Sequence, residues 1–135
     1  MNHWLVKFAP FRNSWSDVLR NGSFEIYSVR SPQATNNLKA MKLNDEVLFY
    51  HSLQQLAVMG VMKVTCESQQ DPTTSDPRWV TVTFEPINTF AQPITLKQLK
   101  TIPELPNIAL IKQPRLAVMP LSKNEFEIIS AIYPI

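Results

Sequence analysis

Hydrophobic and polar positions alternate from His3 to Phe8, with Trp4, Val6 and Phe8 on one side and His3, Leu5 and Lys7 on the other. That two-residue period predicts a strand. Ser14 to Leu19 follows as a short helix: Ser14 can cap the free amides, Asp17 sits in the first turn, and Asn21-Gly22 stops it. Ser31 to Met41 predicts a second helix, with Ser31 as N-cap and Pro32 at the first position, where no amide bond is lost. Glu46 to His51 and Val58 to Glu67 read as strands, the latter apolar and β-branched with a bulge or bend at Gly60; Ser52 to Ala57 joins them as a hairpin-like loop.

Ser68 to Pro77 is polar, carries two prolines and reads as a loop. Arg78 to Glu85 is a strand with Val80, Val82 and Phe84 on one face and Trp79, Thr81 and Thr83 on the other. Thr95 and Gln98 form a capping box that starts a third helix, and Leu116 to Pro120 is a short strand. Ser122 to Ile132 predicts a C-terminal helix, with a Ser122–Glu125 capping box and Leu121 stapled on Phe126. These segments make about five strands and four short helices. They lack the strand–helix alternation of a doubly wound sheet, so the expected fold is α+β, a partly closed mixed barrel with helices around it.

Composition narrows the class. The chain has 135 residues, 44% hydrophobic and 18% charged, which suits one globular domain over residues 1–135. The single cysteine, Cys66, cannot form an internal disulfide and reads as a small hydrophobe in a strand. With no apolar run near the ~20 residues of a membrane span and no signal-peptide pattern, a reducing, cytoplasmic home is expected, with no membrane partner.

Charge and glycine content exclude further classes. Net charge is +2, and the basic groups are thin: Lys39 with Lys42, and Lys97 with Lys100, both readable as solvated helix faces. Only Gly22 and Gly60 occur, against eleven prolines, so no Gly-rich phosphate loop is present.

The densest polar and aromatic stretches are Val29 to Leu38 and Phe49 to Ser52. Arg30 precedes the second helix, which carries Gln33, Asn36 and Asn37. An asparagine amide offers both donor and acceptor and suits the edge of a planar ligand; capping of nearby backbone is the plainer role for Asn37. Phe49, Tyr50, His51 and Ser52 end a strand, where side chains commonly line pockets. An aromatic wall with a hydroxyl or imidazole suits a heteroaromatic ring, although a lone histidine is more often structural. Catalysis finds little support. His3 and His51 are the only histidines, no zinc-ligand spacing or Gly-x-Ser-x-Gly elbow occurs, and the carboxylates are scattered. No catalytic residue, metal or cofactor is therefore expected.

Taken together, these blocks resemble the EVE domain family of the PUA-like superfamily over nearly the whole chain. The resemblance lies in the opening WLVK at Trp4–Lys7 with Pro10, SWSDVL at Ser14–Leu19, VR-x-x-QA-x-NNLKAMK at Val29–Lys42, and LFYHS at Leu48–Ser52. It continues in TLKQLK at Thr95–Lys100 and RLAVMPLS at Arg115–Ser122. It implies a small mixed β pseudo-barrel with a central cleft that reads a modified base in DNA or RNA, and a relation to the YTH domains, readers of methylated adenine. By that resemblance Arg30, Asn36, Asn37, Phe49, Tyr50, His51 and Ser52 surround the pocket, with Trp4, Lys7 and Arg115 nearby.

Departures from the family pattern fall near the cleft. Phe8 and Ala9 replace Ser-Glu; Ile26, Tyr27 and Ser28 replace Trp-Asp-Gly; Ser31 and Pro32 replace Asn-Tyr; Leu53 replaces Asn. Tyr27, one position displaced, is the available replacement for the missing ring. Extracting a base costs a few kcal/mol and stacking returns about 1–3 kcal/mol. A buried methyl adds only about 0.8 kcal/mol. The expectation is weak, micromolar binding, helped by phosphate contacts from Lys7, Arg30, Lys39 or Arg115. An enzyme acting on a nucleotide or another small molecule such as a small acid through the same cleft, and a degenerate family member serving as a protein-interaction module, are the competing readings.

Overall fold

The alternating and apolar segments pair into one mixed sheet, seen in a computed structural model that describes residues 1–9, 13–52 and 55–133. The strands are β1 (His3–Phe8), β2 (Phe24–Glu25), β3 (Glu46–His51), β4 (Ala57–Gln70), β5 (Val80–Thr95) and β6 (Val118–Leu121), in the order β2-β5-β4-β3-β1-β6. Among the described residues only β1 and β3 run parallel, from His3 opposite Glu46 to Phe8 opposite His51. The helices are α1 (Trp15–Asn21), α2 (Pro32–Ala40), α3 (Leu96–Lys100), α4 (Ala109–Lys112) and α5 (Lys123–Ser130).

The α+β class and the helix starts agree with the sequence reading. Ser14, Thr95 and Ser122 each cap a helix in a reciprocal box, with Asp17, Gln98 and Glu125 as partners. Ser31 accepts the Ala34 amide, with Pro32 opening α2. Gly22 ends α1 at φ 74°, a left-handed position that suits glycine.

The sheet itself differs from the expected one. It has six strands rather than about five, and it does not close: β2 and β6 are free edges. β2 is two residues long, too short to show an alternation, and α4 has no side-chain cap to announce it. β4 and β5 overrun their expected ends by forming a long hairpin, bent by register shifts between Val58 and Gly60 and at three further places. Gly60 has a packing reason as well, since a Cβ there would stand 2.2 Å from the Trp15 ring.

The core lies on both faces of β3: Val47, Leu48, Phe49, Tyr50 and His51 are all buried. Phe49 meets Phe24 edge-on at 5.6 Å and tilts against Trp15 at 5.4 Å. Leu38 of α2, Met119 of β6 and Ile129 of α5 join the same buried cluster. Pro10 and Leu53, with part of the β3–β4 connection, lie outside the described residues.

Candidate functional site

A cleft of about 300 Å³ opens where four chain segments converge. Lys7, Phe8 and Ala9 come from the end of β1; Ile26 to Arg30 from the segment after β2; Ser31 and Ala34 from the start of α2. Ser52, just past β3, and Arg115 and Ala117, before β6, complete it. The volume is at the small end of ligand pockets. Two rings, Phe8 and Tyr27, and three cations, Lys7, Arg30 and Arg115, face it, with no carboxylate among the lining residues. Tyr27 is 41% exposed, and Phe8 is held edge-on against Phe24 at 5.0 Å.

The segment carrying Arg30 is shaped from behind by Asp71, a fully buried residue at the end of β4. Asp71 Oδ2 accepts the Ser28 amide at 2.8 Å and an Arg30 guanidinium N–H at 3.1 Å. Asp71 Oδ1 accepts the Thr73 amide at 2.7 Å and the Thr73 hydroxyl at 2.6 Å. Burial alone would raise its pKa, but the hydrogen bonds from Thr73, Ser28 and Arg30 outweigh it and hold the carboxyl at about 2. Ser28 has φ 62°, a left-handed conformation that costs a non-glycine residue about 1–2 kcal/mol and that the bond to Asp71 helps to hold. Arg30 also bonds Thr73 Oγ1 at 3.2 Å and lies 5.4 Å from the Trp79 ring centre, while Arg78 lies on the same ring at 4.9 Å.

Lys7 extends along the opposite wall. Its Nζ donates to the Pro114 carbonyl and its backbone amide to the Ala117 carbonyl, tying the Arg115 segment to β1. Partial burial lowers its pKa. Ser52 is fixed by its backbone N–H, which donates a hydrogen bond to the Phe8 carbonyl at 2.9 Å.

Of the ten residues singled out from the sequence, Lys7, Arg30, Ser52 and Arg115 line this cleft, and six do not. Trp4 is buried toward the other end of β1, its indole N–H donating to Asp45 Oδ2 at 3.0 Å. Phe49 and Tyr50 are core residues, because β3 is covered on both faces rather than one; burial pushes the Tyr50 hydroxyl up to about 12. His51 is buried too, its Nε2 accepting the Trp15 amide at 3.0 Å, and burial lowers its pKa. Asn37 donates to the Val118 carbonyl at 2.7 Å and so fastens α2 to β6. Asn36 is exposed on α2 outside the cleft. The sequence reading missed Asp71, whose role depends on a contact with residues more than forty positions away. It flagged Tyr27 only as a substitute for a lost ring.

The open mixed sheet, with short helices and a small cationic cleft at the strand ends, defines a mixed α+β domain. The chain belongs to the EVE domain family, whose model matches residues 2–132. The mouse thymocyte nuclear protein 1 is 30% identical over 165 aligned positions, covering 97% of this chain and 73% of its relative. A crystal structure of an Agrobacterium tumefaciens protein superposes with a TM-score of 0.95 at 35% identity, over 98% of this chain and 92% of the other. The human THYN1 protein, solved in complex with DNA containing 5-methylcytosine, superposes with a TM-score of 0.89 at 25% identity, over 100% of this chain and 99% of the other.

Proposed function

We propose that this protein is a nucleic-acid binding module that receives a single modified base in the cleft beside Arg30. The observation that carries the reading is the cleft: small, flanked by Phe8 and Tyr27 and edged by three cations without a lining carboxylate. A flat ring can stack on such side chains, and an anionic backbone is attracted to the rim. The human THYN1 complex with 5-methylcytosine DNA supports methylated cytosine as the first base to try.

The role is binding rather than catalysis. His51, the histidine nearest this region in sequence, engages the Trp15 amide and not a carboxylate, so no acid–base pair forms there. Loss of the cleft in a degenerate member would leave it filled, whereas here it is open. No helix among the described residues is long and apolar enough to cross a membrane. The free, half-buried Cys66 suits a reducing compartment, and a cytoplasmic location gives access to nucleic acid.

The test is fluorescence anisotropy with short DNA and RNA strands carrying plain, methylated or hydroxymethylated bases. We expect micromolar binding with a preference for one modified base, weakened about tenfold in Arg30→Ala with the circular dichroism spectrum unchanged. Equal affinity across all strands, or full affinity in a folded Arg30→Ala variant, would overturn the reading.

A further inference from the structure

A second hollow, of about 460 Å³, adjoins the cleft. Gln33, near the start of α2, forms one wall, and Gln113, Pro114 and Leu116 form the other. Ser31 and Arg115 belong to both hollows, so Arg115 stands on the ridge between them. As in the cleft, no carboxylate is among the lining residues.

The three cations of the cleft are not equivalent. Arg30 is committed to Asp71, and Lys7 to the Pro114 carbonyl. Arg115 is exposed, and among the described residues its guanidinium has no hydrogen-bond or ion-pair partner; the same is true of the Gln33 and Gln113 amides. The two bonds from Lys7, to the carbonyls of Pro114 and Ala117, brace the ridge from both sides of Arg115.

We infer that the second hollow holds the nucleotide adjacent to the cleft-bound base on the same strand, with Arg115 on the phosphate that joins them. This rests on the base-reading role of the cleft and adds the strand's path away from it. The charge pattern favours this occupant. A dinucleotide is two uncharged bases joined by one anionic link, and the surface is two hollows without lining acids joined by one unpaired guanidinium. A guanidinium presents a planar fork of donors that matches phosphate. The Gln33 and Gln113 amides offer donors and acceptors to a base edge without demanding one sequence.

Titration calorimetry or amide chemical shifts would compare 5-methyldeoxycytidine, its 5′- and 3′-monophosphates, and dinucleotides with the methylated base on either side. One dinucleotide should bind at least about tenfold tighter than the nucleoside. Arg115→Ala should erase most of that gain. Gln113→Ala should leave nucleoside affinity unchanged but remove the step from monophosphate to dinucleotide. Both changes are at exposed positions, and circular dichroism would verify the fold. Equal affinity for monophosphate and dinucleotide, or a gain indifferent to both variants, would overturn the second subsite while leaving the cleft reading intact. Nucleoside binding that ignores Arg30→Ala would remove the cleft reading and this inference with it.

Discussion

Asp71 shows how one residue sets the site without facing it. Its two oxygens accept from four donors, two on each. In Asp71→Asn the amide nitrogen can accept from none, so two donors lose their acceptor whichever way the amide turns. We expect a stability loss of about 1–3 kcal/mol by thermal unfolding and weaker binding through a misplaced Arg30. The acid profile gives the sign. The folded pKa of about 2 lies below the usual ~3.9 of a free aspartate, so the contribution of Asp71 is present above pH ~4 and fades as pH falls toward 2. Wild type should lose stability more steeply than Asp71→Asn across that window, as urea unfolding at fixed pH would measure. His51 has the same sign, because burial depresses its pKa and its neutral form accepts the Trp15 amide. Its contribution is complete above the free histidine value of ~6.5 and declines as pH falls. His51→Gln should flatten the pH dependence of stability just below neutrality.

Among the elements, the long β4–β5 hairpin carries the most consequence. It brings Asp71 and Trp79, at its loop end, behind the cleft segment, and its Gly60 lets Trp15 of α1 lie directly on β4. A Cβ at Gly60 would also stand 2.7 Å from the Asn88 carbonyl, which is backbone and cannot swing aside. Gly60→Ala should therefore destabilise by about 1–3 kcal/mol or more, read as a lowered urea midpoint. Local patterns made β1 and β3 legible with the observed bounds and gave the caps of α1, α2, α3 and α5, since each rests on residues a few positions apart. The two-residue β2 and the extra length of β4 and β5 depend on pairing partners far along the chain, so no local period announces them. The same limit explains the site. Phe49 and Tyr50 look like pocket walls at a strand end, but whether β3 is covered on one face or two is decided by elements elsewhere.

At the scale of the whole molecule, a net charge of +2 gives little general attraction for nucleic acid. Affinity must come from the cleft and its rim, where Lys7 and Arg30 are already engaged and Arg115 is free to meet phosphate among the described residues. The expected slope of log affinity against log salt on single strands is therefore shallow, between about −1 and −2. A slope steeper than about −4 would mean that the dispersed surface lysines dominate. The proposed function requires that the modified base enter this cleft and no other hollow. Amide chemical-shift mapping with 5-methyldeoxycytidine alone is the decisive measurement. Shifts should concentrate at Lys7 to Ala9, Ile26 to Ser31, Ser52 and Arg115 to Ala117. Shifts centred instead on the hollow formed by Leu56, Thr95, Lys97 and Lys100 would contradict it.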